Sequence, residues 1–467
     1  MEALTMDFSA ANSALWGAVL QFGLLAALLL LANVLRRKVV FFRKSLMPTA
    51  VLAGFLALIL RVTGLLHLEL GLMEMITYHA IAIGFIAMSL QIPDKKEAGV
   101  KGDFTPAKSG ALIVSTYLIQ GAIGLIITIL LAHTVMPGLF KAAGIILPMG
   151  YGQGPGQANN VGSTYETLGF AGGQSFGLSI AAAGFLCACL VGVVYLNILK
   201  RRGKISGSYE ERAEKVSLDV FQGENEIPIS ESVDRFSLQF ALVLLIYLAT
   251  FLVSKGITHL LATYLPGLSQ TVSSLVWGFN FIIGSLLAIV CRNIFNLLTK
   301  VKLMTRQYSN NYLLSRIAGL AFDFMVITGI AAIDFHDIRQ LWLPFTLLAL
   351  AGGVVTIFWL QWLCRKIYPD YYYEGFLSMY GMLTGTISSG VLLLREIDPD
   401  FHTPAAGNLL TGSSFAIVFG FPMLLLIGLA PESDALLYLT LGLILVYMAA
   451  LVLFMLLAKR KKQPGAV

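Results

Sequence analysis

The sequence predicts an all-α polytopic membrane protein. About eleven transmembrane helices are expected in two inverted-topology repeats of five, each with a re-entrant glycine-rich hairpin loop. Three observations predict this class. The 467 residues are 57% hydrophobic and only 12% charged, with a mean hydropathy of +0.79, whereas soluble domains carry roughly 25% charged residues. Eleven apolar segments come close to the ~20 residues that cross a hydrocarbon core of ~30 Å. Two further stretches, 144–170 and 375–394, are apolar but interrupted by glycine, and each follows the fourth segment of its half.

In order, the segments lie near 13–35, 46–66, 75–92, 109–134, 174–199, 237–262, 272–298, 313–333, 341–363, 404–430 and 435–458. Residues 1–12 hold Glu2 and Asp7 but no Lys or Arg, and Arg36, Arg37 and Lys38 follow the first segment. That charge order suits a first helix with its N-terminus outside and no cleavable signal. Threading from there places the basic residues of 36–44, 95–108, 200–204, 300–306, 365–366 and 459–462 on the inner side. Arg61, Lys141, Lys255 and Arg339 remain outside. The asymmetry holds only if both broken stretches return to the side they entered from.

The threading divides the chain into a first repeat (1–199, with loop 144–170), a cytoplasmic linker (200–236) and a second repeat (237–430, with loop 375–394). Residues 431–467 add one helix and a basic cytoplasmic tail. The linker is expected to be solvated, with a short helix around 209–216. An odd number of crossings per half gives the halves opposite orientation, so the first loop enters from outside and the second from inside. Paired broken elements in inverted halves are a transporter signature.

In the first loop Gly150, Gly152, Gly154 and Gly156 alternate with Tyr151, Gln153 and Pro155, and Gln157, Asn159 and Asn160 follow. Backbone so rich in glycine does not stay helical. In hydrocarbon, freed backbone is tolerated only where protein or a water-filled cavity surrounds it. In the second loop Gly381, Gly385 and Gly390 interrupt an apolar run that also holds Thr384, Thr386, Ser388 and Ser389.

Net charge is +6, but the basic residues are accounted for by topology, so no nucleic-acid partner is expected. Cys187, Cys189, Cys291 and Cys364 lie in or beside apolar segments, which argues against a disulfide framework or a transition-metal site. The chain has no Walker A sequence and no H-E-x-x-H. The G-x-S-x-G pattern at 173–177 opens a membrane helix, where the strand-to-helix elbow of a serine hydrolase has no place. No enzymatic activity and no cofactor are expected.

Three stretches carry a family resemblance: Gly152-Gln153-Gly154-Pro155-Gly156-Gln157-Ala158, Gly381-Met382-Leu383-Thr384-Gly385, and the helix opening Leu46-Met47-Pro48-Thr49-Ala50-Val51-Leu52-Ala53-Gly54. In motif and layout the chain resembles the sodium:glutamate symporter family, as a divergent member. Gln153 and Pro155 stand where the family has His and Thr, and Leu383 replaces a glycine of the second loop. The resemblance implies two inverted five-helix repeats with hairpin loops, a scaffold part and a moving part, a homodimer, and Na⁺-driven glutamate uptake across the plasma (inner) membrane.

The residues make the same class of function plausible in chemical terms. Half-helix N-termini offer free N–H groups and a positive dipole end to an anion. The substrate candidates are Gly152, Gln153, Gly154, Pro155, Gly156, Gln157, Asn159, Asn160, Gly381, Thr384 and Gly385. The ion candidates are Asp323, Thr386, Ser388 and Ser389, with Na⁺ as the coupling ion. Asp323 and His79 are ionisable groups inside expected spans, where isolated charge is costly. Arg292 and Arg316 lie near inner helix ends, from which they can snorkel. The sequence reading is a secondary active transporter for glutamate or a related small carboxylate. Another organic anion, H⁺ coupling through Asp323, and a channel remain open alternatives.

Overall fold

Polar backbone in an apolar solvent must bond internally, and helices answer that demand here. The computed structural model describes residues 13–44, 46–92, 104–204, 229–264, 273, 276–278, 280–303, 309–398 and 403–458. The expectations for residues 1–12, the helix around 209–216 and the basic tail beyond 458 fall outside the described residues.

The first half contains α1 (Ser13–Lys38), α2 (Thr49–Val62), α3 (Leu70–Ser89), α4 (Thr105–Thr134), α5 (Ile146–Gln153), α6 (Pro155–Thr167) and α7 (Gly173–Arg201). The second contains α8 (Ile229–Tyr264), α9 (Asn280–Lys300), α10 (Asn311–Ala331), α11 (Trp342–Ile367), α12 (Tyr372–Thr384), α13 (Ile387–Arg395) and α14 (Ala405–Leu429). Helix α15 (Asp434–Leu457) follows. Among the described residues, nine helices are long and apolar enough to cross a membrane, and α14 makes a tenth when its two bent halves count as one span.

The expected span at 46–66 is corrected. Helix α2 has 14 residues, about 21 Å at 1.5 Å per residue, which is shorter than a hydrocarbon core. Pro48 precedes its first turn, and Gly64 takes a positive φ of +75° just beyond its end. The span expected from 272 has its long helix from Asn280.

Helix packing repeats between the halves. Helix α1 packs on α2 as α8 packs on α9, and α2 lies on α10 as α9 lies on α3. Helix α4 holds α5 as α11 holds α12. The two third helices, α3 and α10, pack extensively on each other. One group of helices is therefore α1–α3 with α8–α10, and a second is α4–α7 with α11–α15. Helix α6 belongs to the second group and packs on both α3 and α10 of the first.

Candidate functional site

Both broken stretches form helix–break–helix elements whose arms reverse direction. Helix α5 follows α4 antiparallel: Gly144 lies against Gly124, and Gly152 against Tyr117. The chain then breaks at Gly154, with φ +87° and ψ −176°. Side chains rarely adopt that conformation. Pro155 opens α6 with its φ already fixed for a first turn. Helix α6 returns along α7, with Ala158 against Gly177 and Gly162 against Gly173.

The second element approaches from the other end of α7. Phe376 of α12 packs on Tyr195, ring centroids 4.8 Å apart, and Thr384 reaches Gly184. The chain breaks at Gly385 and Thr386, and α13 returns so that Leu393 lies against Gly192. The arms touch through glycine: a Cβ on Gly381 would sit 2.8 Å from the Cα of Gly390.

The two breaks meet. A Cβ on Gly154 would lie 3.6 Å from Thr386 Cγ2 and 3.9 Å from the Gly385 carbonyl oxygen. Helices α6 and α13 both begin at this junction, and neither Gly154 nor Thr386 supplies a side-chain cap to its helix. First-turn N–H groups have no carbonyl partner within a helix, so two positive helix ends converge on one buried point.

The surroundings are rich in oxygen. Gln120 of α4 is fully buried. It donates to Thr356 Oγ1 at 2.8 Å and to the Leu383 carbonyl at 3.0 Å, which ties α4 to α11 and to the second tip. Tyr117 donates to the Gly152 carbonyl at 3.2 Å. Beside the tips the Oε1 of Gln120 and the Oγ of Ser389 are buried without a hydrogen-bond partner, as are the Oε1 of Gln157 in the first turn of α6 and, further along that helix, the Oδ1 of Asn160. Unpartnered buried oxygens are costly, and a cation or a ligand N–H would satisfy them.

Of the expected substrate residues, Gly152, Gly154, Gly385 and Thr384 lie at the two tips, with Gln153 half-buried beside them. Pro155 packs on Gly329, and Gly156 on Ile81 and Met325, at the boundary between the two helix groups. Asn159 accepts from Gln174 Nε2 at 2.8 Å, and Asn160 donates to the Gly278 carbonyl at 2.7 Å. Gly381 spaces the arms of the second hairpin. Among the ion candidates, Thr386 and Ser389 are at the second tip and Ser388 lies on the first turn of α13.

Asp323 is not brought to the tips. It is exposed on α10, while Met325 and Gly329 of the same helix face α6. His79 is likewise exposed and pairs with Tyr247 Oη at 2.6 Å. Ser175, the serine of the hydrolase-like pattern, donates to Asp337 Oδ2 at 3.1 Å. Sequence reasoning missed Gln120, Thr356 and Gln174. For Gln120 the signal was a lone amide in an apolar helix.

No family model, no curated protein and no solved structure matches the chain. What the fold and site define is a membrane-embedded bundle of many apolar helices with a polar junction at its centre, an arrangement that fits a membrane transporter in general.

Proposed function

We propose that this protein is a secondary active transporter that moves a small carboxylate such as glutamate together with Na⁺. One observation carries the reading: the uncapped N-termini of α6 and α13 converge where Gly154 meets Thr386. A carboxylate is suited to that point because its charge lies along both helix dipoles and its oxygens accept free N–H groups. The buried oxygens of Gln120, Gln157 and Ser389 suit a cation bound beside it.

The mirrored packing of the two halves supports an inverted repeat, and the reversal of each broken element supports re-entry from opposite faces. In this reading the group holding both hairpins moves against the group built on α3 and α10, with α6 at the sliding contact. The protein works in the plasma (inner) membrane with its N-terminus outside, as a homodimer.

The test is uptake of labelled glutamate into proteoliposomes under an inward Na⁺ gradient, an inward H⁺ gradient, or neither. Unlabelled aspartate, citrate and malate serve as competitors. Accumulation that requires Na⁺ supports the proposal. Accumulation driven by H⁺ alone replaces the coupling ion, and no accumulation under either gradient rejects glutamate symport.

A further inference from the structure

The two halves match residue by residue around their third helices. Gly54 of α2 lies against Ile330 of α10, and Gly284 of α9 lies against Ile86 of α3. Arg61 of α2 donates to the Ile333 carbonyl, and Arg292 of α9 donates to the Ser89 carbonyl at 3.2 Å. Ile333 follows Ile330 by three residues, as Ser89 follows Ile86. Five residues before Ile86 and Ile330 stand Ile81 and Met325. These equivalent positions are the two that flank Gly156 of α6: a Cβ there would meet both, with Met325 Sδ at 2.7 Å. Gly156 therefore occupies the point about which α3 and α10 are related by a twofold.

The hairpins have a centre of their own, where Gly154 meets Thr386. Each of those residues directly precedes the first residue of its returning arm, Pro155 or Ile387. Gly156 is the second residue of α6, and Ser388 is the second of α13. The two centres do not coincide. The group holding the hairpins is displaced, so that α6 and not α13 fills the seat between Ile81 and Met325. Burial follows the displacement. Every residue from Pro155 to Val161 is buried, whereas Thr386, Ile387, Val391 and Leu392 are half-buried. Helix α13 packs on α7, α12 and α14. A seat that either arm can fill gives two alternative packings, and packed interfaces of that kind are bistable, not continuously deformable.

One directional bond distinguishes the two packings. Asn160, the sixth residue of α6, donates to the carbonyl of Gly278 at 2.7 Å, and Gly278 stands two residues before α9 begins at Asn280. The matching positions are Leu392, the sixth residue of α13, and Met47, two residues before α2 begins at Thr49. Leucine has no donor, so the exchanged packing lacks this bond. We propose that the hairpin group has a second arrangement in which Ser388 replaces Gly156 between Ile81 and Met325, and that the bond from Asn160 to Gly278 is the latch favouring the arrangement seen here. Asn160 is thus a positioning residue. The purpose of the latch, to set the resting position of the sliding step, rests on the transport reading above.

The experiment is disulfide trapping of the full chain in nanodiscs, with Cys187, Cys189, Cys291 and Cys364 replaced by alanine. Ile81→Cys with Gly156→Cys reports the arrangement seen here, and Met325→Cys with Ser388→Cys reports the exchanged one. Under mild oxidation the first pair should close fast and the second slowly, as the less populated state. Asn160→Leu should speed closure of the second pair about fivefold, or about 1 kcal/mol, as is typical of one hydrogen bond. Leu392→Asn supplies the missing donor on the other arm and should act in the same direction, so it decides if Asn160→Leu fails to fold. Asn159→Ala, which breaks a bond to Gln174 inside the hairpin group, should leave the rate unchanged. No closure of the second pair overturns the proposal. So does closure that Asn160→Leu, or Leu392→Asn in its stead, does not accelerate, or that Asn159→Ala accelerates equally. Uptake assays separate the two proposals. Na⁺-driven uptake in wild type without closure of the second pair rejects the exchange and keeps the transport reading. Closure with the expected dependence on Asn160, and no uptake of any carboxylate, does the reverse.

Discussion

The hydroxyls of Thr77 and Thr328 face each other at 2.9 Å, both fully buried, across the packed third helices of the two halves. Each also reaches back along its own helix, Thr77 to the Met73 carbonyl at 2.9 Å and Thr328 to the Phe324 carbonyl at 2.8 Å. Three contacts share two protons, so one hydroxyl gives up its own carbonyl whenever the cross-helix bond forms. Thr77→Val and Thr328→Val in a double-mutant cycle should therefore reveal a small coupling, about 0.6 kcal/mol as is typical inside membranes. Thermal unfolding in nanodiscs measures it. Strict additivity would mean that the hydroxyls serve only their own helices.

Gly154→Ala tests the first break. The added Cβ would meet Thr386 at ordinary van der Waals distance, so the cost comes from the backbone, whose φ of +87° is strained for any side chain by about 1–3 kcal/mol. Transport should fall at least tenfold while the protein still purifies as a folded species. Retained wild-type uptake would show that the break relaxes without consequence.

Gln120→Leu keeps the bulk of the side chain and removes both donors. The Leu383 carbonyl and Thr356 Oγ1 lose a partner, a loss of about 1–3 kcal/mol if they stay dry. The second tip should loosen. The expected readout is a lower maximal uptake rate and faster amide exchange in α12, with α1 and α8 unchanged. Exchange unaltered in α12 would remove Gln120 from the tip's support.

Glu166 lies in the last turn of α6. Burial pushes its carboxyl above the ordinary value of 4.5, an N–H bond from Gln174 opposes this, and nearby Asp337 adds to it. A raised carboxyl favours the protonated form in the folded state. Its stabilising contribution is thus complete below about pH 4.5 and is lost as pH rises through the folded value. Glu166→Gln still offers an oxygen to the Gln174 N–H, which Glu166 accepts at 3.0 Å. The variant should melt higher than wild type at pH 8, and the difference should vanish at pH 4. A constant difference across that range would exclude titration of Glu166.

Much of the architecture was legible in the residues. The Gly-Gln-Gly-Pro-Gly run marked a break, and the structure breaks at Gly154 and resumes helix at Pro155. The boundary of α2 was not legible from hydropathy, because an apolar run continues past the point where Pro48 and Gly64 set the helix ends. Asp323 stood out as an acid among apolar residues. Which side of α10 it occupies depends on how α2, α3 and α6 pack around that helix, and that packing turns Met325 and Gly329 toward the tips instead. The role of Gln120 was not legible in the sequence because its partners, Thr356 and Leu383, lie 236 and 263 residues away.

The sequence alone determined the solvent this chain folds in, the order of its helices and the two places where helix must stop. Those are local consequences of apolar run length, glycine and proline. Only the tertiary structure decided that the breaks meet, that α6 lies between two helix groups, and that Asn160 reaches the Gly278 carbonyl. Apolar helix surfaces are chemically alike, so hydropathy says which segments pack but not against what. Those pairings come from small residues that allow close approach and from a few buried hydrogen bonds between distant parts of the chain.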